Sequence, residues 1–313
     1  MANFPILGDI SAQQFLSEYW QKKPLLIRNA IADFEPPIDG NELAGLALEP
    51  EVESRLVIGD QWQVEHGPFS AQRFQHLEDH NWTLLVQAVD LWVPEVAEIL
   101  RSFSFLPPWR IDDIMVSYAA DGGSVGPHFD NYDVFLLQGA GQRKWSVGGL
   151  CDDNSTLLPH SDLRILGAEN FTQEWILNCG DMLYLPPRYS HHGVAIGECT
   201  TFSIGFRAPT ATEILDDLTT ELISQNKLLD VLRDPPLTPE MAEQPISTAY
   251  VEQIRALIEK TLSDDDLLLH WFAQFMTSPK YPQLLSDTEE NRSAHIKTSS
   301  QSADIYYKNG ELD

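Results

Sequence analysis

Between Ile114 and Phe206 the chain breaks into short apolar runs separated by glycine- and proline-rich turns, a spacing that points to a β sandwich or barrel. The runs are residues 114–119, 134–138, 144–148, 174–177, 182–185, 192–196 and 200–207. A double-stranded jelly-roll is one such architecture, and its mouth is a natural ligand pocket. Ahead of this region, Ser11-Ala12-Gln13-Gln14 reads as a capping box for a helix that buries Phe15, Tyr19 and Trp20. Pro24 then forces an extended segment over 25–29. Residues 53–64 and 83–89 read as strands around a short helix over 71–78, and Trp92-Val93-Pro94-Glu95 opens another helix with Pro94 in its first turn.

Past Pro209 the apolar period becomes that of helices. One stripe holds Ile214, Leu215, Leu218 and Leu222, and a second holds Val251, Ile254, Leu257, Ile258 and Leu262. A third, Leu267, Leu268, Trp271, Phe272 and Phe275, begins at the acidic turn Asp264-Asp265-Asp266, which suits the helix dipole. Residues 286–302 are polar enough to read as a long loop or disorder, and Asn309-Gly310 is a two-residue hairpin signal.

The candidate chemistry lies in His128-Phe129-Asp130, answered much later by His191. On a strand, residues i and i+2 share a face, so His128 and Asp130 can grip one ion while Phe129 turns into packing. Two imidazoles and one carboxylate occupy one face of an octahedron and leave the other open, the ligand set of a non-haem iron(II) oxygenase. The flexible run Gly122-Gly123-Ser124-Val125-Gly126-Pro127 leads into the pair. Spacing does not decide between His191 and His192 as third ligand. His66, His76, His80 and His160 lack any such context and read as surface or hydrogen-bonded residues. An oxygenase of this kind commonly draws electrons from a dicarboxylic keto acid, whose far carboxylate needs a buried cation. Arg143 fits better than Lys144, because a guanidinium holds a carboxylate in two places and alternation then turns Lys144 outward.

Composition limits the partners. The 313 residues carry a net charge of −27, which argues against direct nucleic-acid binding and favours a basic protein partner. Cys151, Cys179 and Cys199 are few, odd in number and widely spaced, as in a reduced cytoplasmic protein. No signal peptide is legible at the N-terminus, and no apolar run is long enough to span a bilayer.

The run from Gly126 to Gly139 with Arg143-Lys144-Trp145 resembles the bacterial ribosomal oxygenases, cupin-fold relatives of the JmjC histone demethylases. Leu185-Pro186-Pro187-Arg188-Tyr189-Ser190-His191, Ser203-Ile204-Gly205-Phe206-Arg207-Ala208-Pro209 and Tyr19-Trp20-Gln21-Lys22-Lys23-Pro24-Leu25-Leu26 are similar to that family as well. The resemblance implies an α+β protein: a double-stranded β-helix catalytic domain over 1–208, a helical dimerisation region over 209–262 and a winged-helix-like module over 263–313. It also implies a homodimer. It makes His128, Asp130 and His191 the iron(II) ligands, with His191 chosen over His192 by its place after Pro-Pro, and leaves the role of His192 open. Arg143 becomes the clamp for 2-oxoglutarate, with O₂ as the other cosubstrate. Ser117 and Ser203, expected to face the pocket, are candidate cosubstrate partners. The implied reaction is hydroxylation of the β-carbon of an arginine in large-subunit ribosomal protein sixteen. Asp121, Tyr132 and Asp133 are candidates for holding that arginine. The alternatives are a histidine hydroxylase and a non-catalytic protein-binding cupin, the second weakened by the presence of His128, Asp130, His191 and Arg143 together.

Overall fold

Alternating apolar side chains give the central strands two buried faces, and each face is covered by a different layer. The computed structural model describes residues 5–160, 162–168, 170–240, 245–282, 298–300, 306–308 and 311–312. The chain divides into two units, residues 1–208 with 280–296 and residues 209–279 with 297–313.

In the first unit the strands are β1 (Leu25–Ile27), β2 (Ser54–Ile58), β3 (Gln63–His66), β4 (Trp82–Val86), β5 (Ile111–Ala119) and β6 (Val134–Gln138). They continue with β7 (Gln142–Leu150), β8 (Phe171–Leu177), β9 (Met182–Leu185), β10 (Tyr189–Ile196) and β11 (Cys199–Phe206). Among the described residues, one sheet runs β1-β9-β6-β11-β5-β4-β2-β3 and a smaller one runs β10-β7-β8. Such non-sequential antiparallel neighbours are the jelly-roll pattern.

On β5 and β11, Ile114, Val116, Phe202, Ile204 and Phe206 point away from the smaller sheet, into a core shared with Phe15, Leu43 and Phe103. Phe15 comes from α1 (Ala12–Glu18), which Ser11 caps by accepting the Gln14 N–H at 3.1 Å. Its ring is fully buried, 5.6 Å from Phe135 and 5.0 Å from Tyr184. Truncating such a ring costs about 3–5 kcal/mol. The opposite face packs Val134, Leu136, Leu183 and Leu185 against Trp145, Val147 and Leu177 of the smaller sheet. In jelly-rolls this inner space between the sheets is where ligands are held.

Several local expectations are redrawn. Residues 53–64 form a hairpin, β2 and β3, because Gly59 and Trp62 take left-handed backbone at φ 72° and 50°. The helix expected over 71–78 is α3 (Ala71–Gln75), after α2 (Gly40–Leu46), and the one opened by Pro94 is α4 (Pro94–Ala97) followed by a 3-10 turn to Phe103. The extended segment after Pro24 ends at Ile27, before left-handed Asn29.

The second unit contains α5 (Ala211–Ser224), α6 (Thr248–Thr261) and α7 (Asp265–Thr277) with a small sheet, β12 (Thr298–Ser300), β13 (Tyr306–Lys308) and β14 (Glu311–Leu312). Thr210 and Glu213 form a reciprocal cap on α5, and Asp264 caps α7. Leu218, Leu222 and Trp271 make its core, where the Trp271 indole donates to Asp217 at 2.7 Å. Part of the polar stretch is thus strand β12; its residues 286–297 and 301–302 lie outside the described residues. So does the Asn309-Gly310 turn, although Lys308 and Glu311 on either side of it are paired. Among the described residues no helix is long and apolar enough to cross a membrane.

Candidate metal centre

His128 lies outside the regular ladders, contrary to the strand expected there. It makes a single antiparallel bridge with His191 of β10. The two residues exchange both backbone hydrogen bonds, His128 N–H to His191 O at 3.0 Å and the reverse at 2.8 Å. Directly opposed residues share a face, so the imidazole rings stand 4.3 Å apart. A third tie comes from Arg188, whose N–H donates to the Asp130 carbonyl at 2.6 Å. Arg188 can reach it because it takes left-handed backbone, φ 67°, after the double proline. That geometry is uncommon away from glycine and costs about 1–2 kcal/mol.

Each ring is also oriented from behind. Nδ1 of His128 lies 2.9 Å from the Gly126 carbonyl and Nδ1 of His191 lies 2.9 Å from the Tyr189 carbonyl. A carbonyl only accepts, so both Nδ1 atoms carry the proton and both Nε2 lone pairs are free. Those lone pairs face Asp130: Oδ2 is 4.0 Å from His128 Nε2 and 3.5 Å from His191 Nε2. The ligand-type atoms of the three residues lie within 4.8 Å of one another. Burial pushes the His191 imidazole down to about 4, so it stays neutral, as a ligand must. Two oriented imidazoles and a carboxylate fit a divalent transition metal, and the carbonyl contacts behind them are the usual means of fixing such ligands.

From His191 the inner face of β10 continues through Gly193 to Ala195, paired with Val147, Trp145 and Arg143 of β7. Arg143 is 3% exposed, and its Nε and Nη2 have no hydrogen-bond partner among the described residues. A buried charged donor left unsatisfied costs more than the 1–3 kcal/mol or so of a neutral one, so a cation held this way is prepared for an anion. Lys144 points outward to Glu174 at 3.4 Å, as alternation requires.

The remaining candidates separate. Ser117 lies buried on β5, where its hydroxyl reaches the Thr201 carbonyl at 3.5 Å. Ser203 lies on β11, paired with Met115 and Leu136. Both stand on the inner face. Asp133 does not: it is fully buried and accepts from Tyr184 Oη at 2.6 Å, Gln21 Nε2 at 3.1 Å and Arg110 Nη2 at 3.4 Å. Its carboxylate ties the N-terminal segment to the sheet and is spent on that. Asp121 accepts the Gly197 N–H at 2.7 Å, capping the turn between β10 and β11. Tyr132 is hydrogen-bonded to Asp130, whose charge raises its phenol well above the ordinary value. His192 faces away from His191 and meets Ser124 Oγ at 3.0 Å.

Asp113 was not legible as a site residue. It begins the inner face of β5, 6% exposed, and accepts from Gln87 Nε2 through both oxygens, at 3.2 and 3.0 Å. Its charge also bears on Tyr132, and Lys280 Nζ rests 3.1 Å from Oδ2. Burial and neighbouring Asp112 raise its carboxyl above the ordinary range. The one available signal was the doublet Asp112-Asp113 at the start of an apolar strand.

The family described as JmjC domain matches residues 98–214. Over 269 residues the chain is 36% identical to the ribosomal protein uL16 3-hydroxylase of Escherichia coli, covering 85% of this chain and 71% of that protein. The chain belongs to the JmjC-type ribosomal oxygenases. A probable ribosomal oxygenase of Haemophilus influenzae is 37% identical over 297 residues, 91% of this chain and 73% of its own. Among solved ribosomal oxygenases, E. coli YcfD in complex with cobalt and 2-oxoglutarate superimposes with a TM-score of 0.83 at 32% identity, over 97% of this chain and 86% of that one. The cupin fold of this ribosomal oxygenase is therefore that of an enzyme solved with both a metal and the keto acid.

Proposed function

We propose that this chain is an iron(II)- and 2-oxoglutarate-dependent oxygenase that hydroxylates the β-carbon of an arginine in ribosomal protein uL16. The observation that carries this reading is the cluster of His128, Asp130 and His191 standing on the same inner face as the unpartnered guanidinium of Arg143. A binding module without catalysis has no use for both. The two Nε2 atoms and the Asp130 carboxylate would hold iron, and Arg143 would hold the far carboxylate of 2-oxoglutarate. Ser117 and Ser203 stand on the face where they would contact the same cosubstrate. The chemistry supplied there, once the centre is filled, is the division of O₂ between the arginine Cβ–H, which becomes C–OH, and 2-oxoglutarate, which leaves as succinate and CO₂.

The protein's own task is placement. Gly126 and Tyr189 aim the imidazoles, Arg143 orients the keto acid, and the apolar wall of Val134, Leu136, Leu183 and Leu185 excludes water from the inner space. Asp113 and Tyr132 would receive the substrate guanidinium. Lys280 Nζ already lies 3.1 Å from the Asp113 carboxylate, so the substrate guanidinium would have to displace that ammonium. The net charge of −27 suits a basic ribosomal protein and repels nucleic-acid phosphates.

The organisation follows the family: catalytic domain over 1–208, dimerisation helices over 209–262 and a winged-helix-like module over 263–313, in a cytoplasmic homodimer. In support, α6 has no fully buried residue, and Val251, Ile254 and Ile258 along it are 50%, 46% and 53% exposed. The test is incubation with iron(II), 2-oxoglutarate, ascorbate and ribosomal-protein peptides, read by mass spectrometry. One oxygen added to arginine is expected. Oxygen on histidine or lysine alone would overturn the target, and no consumption of 2-oxoglutarate would overturn the oxygenase reading.

A further inference from the structure

The smaller sheet holds a buried hydrogen-bond donor that the iron and Arg143 assignments do not use. Trp145 is 4% exposed, and its Nε1–H has no partner among the described residues. Buried indole N–H groups ordinarily find an acceptor. This one shares a strand face with Arg143, two residues earlier, whose Nε and Nη2 lack partners too. The guanidinium carbon lies 5.7 Å from the indole ring. On the other side the ring centre is 5.9 Å from that of His191. The indole thus stands between the two ends of the site, and a molecule reaching from one to the other lies against it.

The opposite strand is cut to admit this ring. Trp145 pairs with Gly193, and a Cβ on Gly193 would come within 2.7 Å of the indole six-membered ring. No backbone angle demands glycine there, because Gly193 is absent from the positive-φ positions. What requires it is the space the ring occupies. Any side chain at 193 would displace the indole from its place between Arg143 and His191.

We infer that Trp145 is a cosubstrate-binding residue, its indole N–H donating to a carboxylate oxygen of 2-oxoglutarate beside Arg143, and that Gly193 is glycine to seat it. The inference rests on the cosubstrate reading above. It accounts together for three unsatisfied donors on one face and for the missing side chain opposite them. It adds to the charge of Arg143 a directional contact that a shorter or longer dicarboxylate would meet less well.

The test is calorimetric titration of 2-oxoglutarate into the full chain loaded with cobalt(II), without O₂. Trp145→Phe keeps an aromatic ring over Gly193 and removes the N–H, so the Kd for 2-oxoglutarate should rise on the order of tenfold or more, as for a hydrogen bond to a charged group. The Kd for cobalt, read from its visible absorption, should not change. Gly193→Ala should weaken 2-oxoglutarate binding at least as much. In the wild-type chain loaded with zinc and labelled with ¹⁵N at indole nitrogen, one of the 8 tryptophan resonances should move when 2-oxoglutarate is added. An unchanged Kd in Trp145→Phe overturns the inference, as does a spectrum in which no indole resonance moves; the second arm needs no variant to fold. Failure of the cobalt-loaded wild type to bind 2-oxoglutarate would instead overturn the cosubstrate reading.

Discussion

Nε2 of His192 and Oγ of Ser124 lie 3.0 Å apart, and this contact links the histidine beside the metal centre to the loop that carries the other one. Ser124 Oγ also accepts the Gly126 N–H at 3.0 Å, and the Gly126 carbonyl takes the Nδ1 proton of His128. His192 is thus connected to His128 through Ser124 and Gly126.

His128→Ala, Asp130→Ala and His191→Ala should each weaken metal binding by more than the 10–100-fold or so typical of losing a supporting contact. His192→Ala should fall within about tenfold. Calorimetry with cobalt(II) separates the two classes, and circular dichroism should show all four chains folded. Metal lost in His192→Ala but retained in His191→Ala would reverse the ligand assignment.

Arg143→Ala should act on the cosubstrate. Removing one partner of a buried charge pair costs about 2–5 kcal/mol, so the KM for 2-oxoglutarate should rise by more than tenfold. Lys144→Ala should leave it nearly unchanged, because that side chain is spent on Glu174 at the surface. Steady-state kinetics over a range of 2-oxoglutarate decides between the two cations.

Tyr184→Phe should destabilise the catalytic unit without touching the metal centre. Its hydroxyl donates to Asp133 and accepts the Gln21 N–H at 2.8 Å, and the ring is fully buried. A hydrogen bond to a buried charged group contributes about 1.5–3 kcal/mol. Urea unfolding should show a lower midpoint of that order, and an unchanged midpoint would mean that the Asp133 network adds nothing to stability.

The tail should hold two copies together. Ile254→Glu with Ile258→Glu places charge on the half-exposed stripe of α6 and should convert a dimer to a monomer in sedimentation. A wild-type chain that sediments as a monomer would refute the dimer directly.

Substrate affinity should fall as salt rises, since the attraction of an acidic enzyme for a basic protein is screened beyond about 10 Å at 0.1 M and about 3 Å at 1 M. The KM for a uL16 peptide, measured across that range, checks it.

The jelly-roll was legible from sequence because strand alternation and turn residues are local properties; 134–138 and 182–185 fall on β6 and β9 to the residue. His128, Asp130 and His191 could be singled out because ligand chemistry restricts residue types so narrowly. Alternation along the strand foretold that Arg143 is the buried cation and Lys144 the outward one. What lay beyond reach was the partner of each polar side chain. Asp133 sits three residues from a site aspartate, yet a buried tyrosine from β9 and two residues from distant segments claim it. Asp121 is claimed by a turn far along the chain. Asp113, unremarkable beside Asp112 in the sequence, is turned inward by the pairing of β5 with β11 and β4, where Gln87 and Lys280 meet it. The chain itself determined which side chains were available and which strands could form. Only tertiary pairing decided which carboxylates were already claimed, because a buried acid takes whatever donors the fold brings within 3 Å or so, and the donors to Asp133 and Asp121 lie 23, 51, 76 and 112 positions away.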